Sequence, residues 1–222
     1  KHAYMRPMLA YRGDEVVGRI IGVIDDSHNK FHEEKTGFFG FFECIDDQDV
    51  ANLMFDDIAS WAKSRGMTTL RGPMNPNTNY ECALLVEGFD DPPTIMMTYN
   101  PQYYPKLLEN WGLAKCKDLL AYNVDSKKSK FSDRLMAQSE KLKRRGRVTF
   151  RPVNMSKFEE EVENILEVYN DAWEKNWGFV PMEPEEFRHM AKDMKAVLDP
   201  RLLLIAEVRG EPAAFALTLP DV

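Results

Sequence analysis

The chain has 222 residues, of which 44% are hydrophobic and 11% aromatic, enough to bury a core, so a disordered chain is not the default reading. Its formal net charge of −7 argues against a broad nucleic-acid footprint, which needs clustered lysine and arginine. The one basic run, "KLKRRGR" at 141–147, reads as a solvated helix end, and no apolar run approaches the length of a membrane span. The three cysteines, Cys44, Cys82 and Cys116, lack CxxC spacing and fit reduced, mostly buried thiols in a cytosolic protein.

The first two apolar, β-branched segments, 5–12 and 15–25, flank "GDE" and read as a hairpin. A polar stretch, "DDSHNKFHEEKTG", follows. His28 and His32 stand four apart beside Glu33 and Glu34, a spacing that could hold zinc on a helix. The Asn, the Lys and the strand-to-strand position favour a solvated loop instead. "FFGFFECI" at 38–45 is the third strand. Residues 50–65 place Val50, Leu53, Met54, Ile58, Trp61 and Ala62 on one helical face, with Gly66 at the C-terminal cap. The turn before that helix, "IDDQD", carries three carboxylates and no glycine. One of Asp46, Asp47 or Asp49 is expected to accept the first free helix amides.

"TTLRGPM" is a strand parallel to its predecessor if the helix is a right-handed crossover. After it comes "NPNTNYECALLVEGF", a long polar insertion at a strand end, where crossover α/β folds bind ligands. Asn75, Asn79 and Tyr80 are candidate substrate-binding groups and Glu81 a candidate base, or the asparagines bond their own backbone in an ordered turn. "NPQYYPKLLENWG" is a short helix ended by Gly112, and 113–125 a last strand.

Residues 126–147 are strongly charged and read as a partly helical linker. Beyond them the pattern restarts with a strand, "VTFRPVN", and a long amphipathic helix opened by Ser156 and Glu159 as a capping box. A bend, "GFVPMEP", a second helix and a hairpin around "RGEP" follow. The chain opens without Met and closes in mid-strand, so it reads as a piece of something longer.

The first half's order, hairpin–strand–helix–strand–helix–strand, resembles the core of the GNAT N-acetyltransferase fold. The second half, strand–helix–helix–hairpin, resembles its beginning. "HNKFHEEKTGFFGFFE", "RGPMNPNTNYECALLVEGFDDPPTIMM" and "YNDAWEKNWGFVPMEPEEF" resemble stretches of tandem GNAT-like proteins of bacterial type. The resemblance implies a mixed α/β (α+β) fold in two incomplete tandem units: 1–125, lacking its N-terminal strand and helices, and 148–222, the start of a second. It implies acyl transfer from acetyl-CoA or another acyl-CoA to a small polar or amine substrate, in the cytoplasm. No nucleic acid or membrane partner is expected; an oligomer remains compatible. The bend "GFVPMEP" resembles the helix-linking segment of the GNAT fold, which lines the acceptor pocket; that resemblance implies Trp177 as a candidate substrate-binding residue, with Glu174 and Asn176 meeting an amine. The alternative there is a hydrophobic plug beneath a loop.

Two family marks depart from the pattern. The Gly positions of the pyrophosphate loop fall on Asp49 and Ala51, among carboxylates that would repel a diphosphate, so the cofactor is not expected in the 46–51 loop. Asn100 matches the Asn before the family's acid, but the Tyr position is Leu108. That leaves Tyr104 as a displaced candidate acid, or Tyr103 and Tyr104 as stacked supports of a core or pocket wall. Two other functions stay open. One is aminoacyl transfer from a charged tRNA, as in tandem-GNAT Fem-type enzymes. The other is a non-catalytic module binding a polar metabolite.

Overall fold

A computed structural model describes residues 2–125, 127 and 132–220. The expected linker therefore falls partly outside the described residues, at 126 and 128–131, as do the ends of the expected units at 1 and 221–222. The fold is mixed α/β, and the chain divides into two compact units. The first takes in residues up to Leu119 together with Asn176–Val180, and the second takes the remainder.

In the first unit, β1 (Ala3–Arg12) and β2 (Glu15–Asp25) form the antiparallel hairpin that alternating apolar residues and a turn at Gly13 dictate. The polar stretch after them is no solvated loop. It forms α1 (Asp26–His32), because the Asp25 carboxylate accepts the Ser27 and His28 amides and nucleates the turn. β3 (Thr36–Cys44) pairs antiparallel with β2, and β4 (Thr69–Arg71) pairs parallel with β3, giving the order β1-β2-β3-β4.

Between β3 and β4 runs α2 (Gln48–Ser64), capped by Asp47, whose side chain accepts the Asp49 and Val50 amides. Its inward face carries Val50, Ala51, Met54, Phe55, Ile58 and Ala62. Leu53, expected on that face, is 70% exposed. The stripe centres on Met54, Phe55, Ile58 and Ala62, and at about 100° per residue Leu53 rotates out of it. Helix α3 (Tyr104–Trp111) ends at Gly112 in the left-handed region as expected, and packs Tyr104, Leu107 and Leu108 onto Phe42 and Phe55. Residues 113–125 form neither helix nor strand. They are almost wholly exposed, and none of their backbone groups extends the sheet beyond the short β4.

The second unit contains α4 (Asp133–Arg144), then β5 (Val148–Pro152), α5 (Phe158–Trp173), α6 (Pro184–Met194), β6 (Leu203–Val208) and β7 (Glu211–Leu217). Its sheet is antiparallel in the order β5-β6-β7, and Val162, Ile165, Leu166, Met182, Phe187 and Ile205 fill its core. The expected capping box at Ser156 and Glu159 is not made. Asn154 accepts the Ser156 amide at 3.1 Å and its hydroxyl at 2.7 Å, so the chain first makes a single tight turn, Met155–Lys157. Glu161 takes over the reaching-back role, its Oε1 accepting the Asn154 amide at 3.2 Å.

Candidate functional site

The parallel ladder between β3 and β4 covers only Thr36–Phe38 and Thr69–Arg71. Beyond it a cleft of about 430 Å³ opens at the carboxyl ends of the two strands, within the size range of small-molecule sites. One wall is β3, with Phe41, Phe42 and Glu43; the other is the insertion after β4, with Pro73, Asn75, Tyr80 and Glu81. Ala83, Leu84, Met96 and Tyr99 add apolar surface to the lining, with Arg19 and Thr98 beside them.

Five of the seven candidates read from the sequence line this cleft: Asn75, Tyr80, Glu81, Asn100 and Tyr104. Two of the five also hold the wall in shape. Asn100 is buried, its Oδ1 accepting the Leu85 amide at 2.7 Å and its Nδ2 donating to the Leu85 carbonyl at 3.3 Å. Asn75 Oδ1 accepts the Phe41 amide at 2.6 Å. Glu81 is exposed at the rim, and its backbone carbonyl accepts the Asn75 amide at 2.9 Å.

Asn79 and Trp177 lie elsewhere in the first unit. Asn79 Nδ2 donates to the Val180 carbonyl at 3.1 Å, Thr78 Oγ1 to the Gly178 carbonyl at 2.5 Å, and the His32 ring N–H to the Phe179 carbonyl at 2.7 Å. Three consecutive carbonyls of 178–180 are thus held. The Trp177 ring lies 5.7 Å from the Arg71 guanidinium, an arrangement that attracts a cation to the π face. His28 is buried against Phe38 and its Nε2 lies 3.4 Å from Glu34, which also accepts from Thr36 and Arg71. Among the described residues no group of three or more His, Cys, Asp or Glu side chains is placed to hold a metal ion.

The cleft's principal charged group escaped the sequence reading. Glu43 projects from β3 with its side chain 58% exposed; Tyr104 Oη donates to Oε2 at 2.6 Å, and Arg19 stands 3.7 Å from Oε1. The signal was present in composition alone: Glu43 is the sole charged residue in "TGFFGFFEC". Tyr104 is otherwise enclosed, and its hydroxyl also accepts the Cys44 amide at 3.0 Å. Burial and the hydrogen bond to Glu43 push its phenol well above the ordinary tyrosine range, so it keeps its proton. Tyr103 Oη donates to the Cys44 carbonyl at 2.7 Å, and the two tyrosine rings meet edge to face at 5.3 Å.

The acidic turn at the start of α2 is already occupied. Besides the two helix amides, Asp47 receives Arg12 Nη2 at 2.5 Å, and these partners hold its carboxyl below the usual range. Burial, then Asp47 and Asp46, push the nearby Cys44 thiol up to about 11. In the second unit a depression of about 540 Å³ runs along Arg151, Asn154, Lys157, Glu160 and Glu161. Its buried carboxylate, Glu161, is engaged on both oxygens, by Arg151 Nη1 at 2.6 Å, Arg151 Nη2 at 3.2 Å and the Asn154 amide.

No family model matches this chain, and no solved structure matches it. Among the described residues no helix is long and apolar enough to cross a membrane. Two curated relatives align along the whole of it. The chain is 37% identical over 225 residues to the bacterial ceramide synthase of Caulobacter vibrioides (strain NA1000 / CB15N), covering 57% of that protein. It is 34% identical over 221 residues to Protein YghO of Escherichia coli (strain K12), covering 56% of that one. The chain therefore spans a little over half the length of the curated relatives it matches, with 100% of its own residues aligned to each.

Proposed function

We infer that the first unit's cleft serves an N-acyl transfer of GNAT type, in which Glu43 takes the proton that an amine loses as it attacks an acyl thioester. The C–N bond forms, the C–S bond breaks, and the departing thiol is protonated from solvent. The observation that carries this reading is a half-exposed carboxylate, Glu43, fixed in the cleft by the buried Tyr104 hydroxyl. A general base needs an acceptor oxygen within reach of solvent-side substrate and a rigid partner behind it. Tyr104 enters as that partner, and Glu81 as a rim carboxylate that attracts a cationic amine.

The name of the Caulobacter relative supports the reaction class. A ceramide is the amide of a fatty acid with a long-chain amino alcohol, so its synthesis joins an acyl group to an amine. The apolar cleft wall of Phe41, Leu84 and Met96 suits such substrates. The donor, an acyl-CoA, is held elsewhere than residues 46–51, since Asp47 already supplies an anion to the α2 amides.

Incubating the full-length protein with palmitoyl-CoA and sphinganine, and measuring the N-acyl product and free thiol, tests this. Glu43→Gln is expected to lower kcat by about 10³-fold, the middle of the range for a general base, with unchanged thermal stability. Glu81→Gln raises KM for the amine and alters kcat little. A Glu43→Gln enzyme within threefold of the parent overturns the assignment.

A further inference from the structure

The face on which Glu43 stands is set by a single irregularity in β3. Opposite it on β2, Arg19 pairs with Glu43 and Ile21 pairs with Gly40, so Ile20 alone faces both Phe41 and Phe42. Phe41 has φ of 50°, in the left-handed region that an aromatic residue seldom adopts. This is a β-bulge, and it reverses the alternation of the strand. Before it, Phe39 faces the α2 core and Phe38 the opposite side; after it, Phe42 and Cys44 face the α2 core. Uninterrupted alternation would put Phe39, Phe41 and Glu43 on one face and drive Glu43 among Met54 and Phe55.

The bulged amide has one partner. Phe41 N–H donates to Asn75 Oδ1 at 2.6 Å. Upstream, Met74 N–H donates to the Phe39 carbonyl at 2.8 Å, so the Asn75 side chain prolongs the β4 side of the ladder one step past the point where backbone pairing stops. Its own amide is anchored on the Glu81 carbonyl. The approach is close enough that a Cβ on Gly40 would lie 1.9 Å from the Met74 carbonyl oxygen and 2.5 Å from Asn75 Oδ1.

We propose that Asn75 is a positioning residue, whose side-chain oxygen holds the Phe41 bulge and thereby keeps Glu43 on the cleft face. Its role in turnover rests on the reading of Glu43 as the base; its role in placing Glu43 does not. Asn75 differs in this from a substrate-binding residue, since the atom that matters points into the fold.

The test compares Asn75→Ala and Asn75→Asp in the full-length protein, because aspartate keeps an acceptor oxygen. In Asn75→Ala the Phe41 amide should exchange at least about 10-fold faster, and the Tyr104 phenol should titrate at lower pH as Glu43 leaves it. With palmitoyl-CoA and sphinganine, kcat should fall by about 10²-fold while KM moves less than threefold. Asn75→Asp should restore Phe41 protection and most of kcat. Unchanged Phe41 exchange and Tyr104 titration in Asn75→Ala overturn the proposal. So does a folded Asn75→Asp in which the Phe41 amide is unprotected, an outcome that stays decisive if the alanine variant fails to fold. A fully active Glu43→Gln, with the two spectroscopic changes still seen in Asn75→Ala, would sink the base assignment and leave the positioning role standing.

Discussion

Glu161 and Glu43 are both carboxylates beside an arginine and a cavity, yet they behave as opposites. Glu161 has a side chain only 4% exposed, with both oxygens taken by Arg151 and one also by the Asn154 amide. Glu43 is more than half open to the cleft, with one short bond from Tyr104 and a looser approach by Arg19. A buried carboxylate with both oxygens engaged by the fold stabilises it and offers little to a substrate. Asp47 stands between them, open to solvent but shared by two helix amides and Arg12.

Removing each carboxylate should rank them in that order of structural dependence. Glu161→Ala leaves the Asn154 amide unmet and Arg151 with only Glu207 and the Pro152 carbonyl, and should lower unfolding stability by about 3 kcal/mol in urea titrations. Asp47→Ala removes the α2 cap and should lower Tm by about 3 °C, with Asp47→Asn recovering most of it. Glu43→Gln should leave Tm unchanged within about 1 °C while abolishing most of the amide formation. A Glu161→Ala protein as stable as the parent, or a Glu43→Gln protein that melts early, would break the contrast.

The smallest effect is a pH dependence. Burial lowers the pKa of His28 below its ordinary 6.5, against the opposing pull of its bond to Glu34, with His32 and Arg71 also acting on it. The folded state therefore prefers neutral His28. Its contribution is complete above pH 6.5 and is lost as pH falls from there toward the folded value. Glu34 is also desolvated, but hydrogen bonds from Thr36 and His28 and the charge of Arg71 bring its pKa below 4.5, so its contribution is lost only under stronger acid. Thermal melts should drop by about 2 °C between pH 7 and pH 5.5, and His28→Gln should flatten that step.

The cleft's wall after β4 was legible in the sequence because a long polar insertion at a strand end is itself a local feature. The reading of Glu81 came from the same feature. Glu43 was not legible from the strand pattern, because regular alternation in "FFGFFECI" puts it on the core face with Phe39 and Phe41, and only the bulge turns it outward. Asn79 and Trp177 are separate substrate-binding expectations, one in the insertion and one at the bend, and the fold uses both for its own contacts: Trp177 packs with Arg71, and Asn79 holds the Val180 carbonyl.

The chain by itself determined the hairpin, the α2 crossover and an aspartate cap among Asp46, Asp47 and Asp49, the α3 stop at Gly112 and the restart at β5. Each depends on periodicity or capping within a few residues of the position concerned. Tertiary structure decided which way Glu43 points, because its bulge is held by Asn75, 34 residues away. It decided the burial of His28 and the placement of 176–180, where His32 reaches a carbonyl 147 residues distant. Such pairings follow from where strands part and where a stray amide finds its acceptor, and no local pattern encodes either.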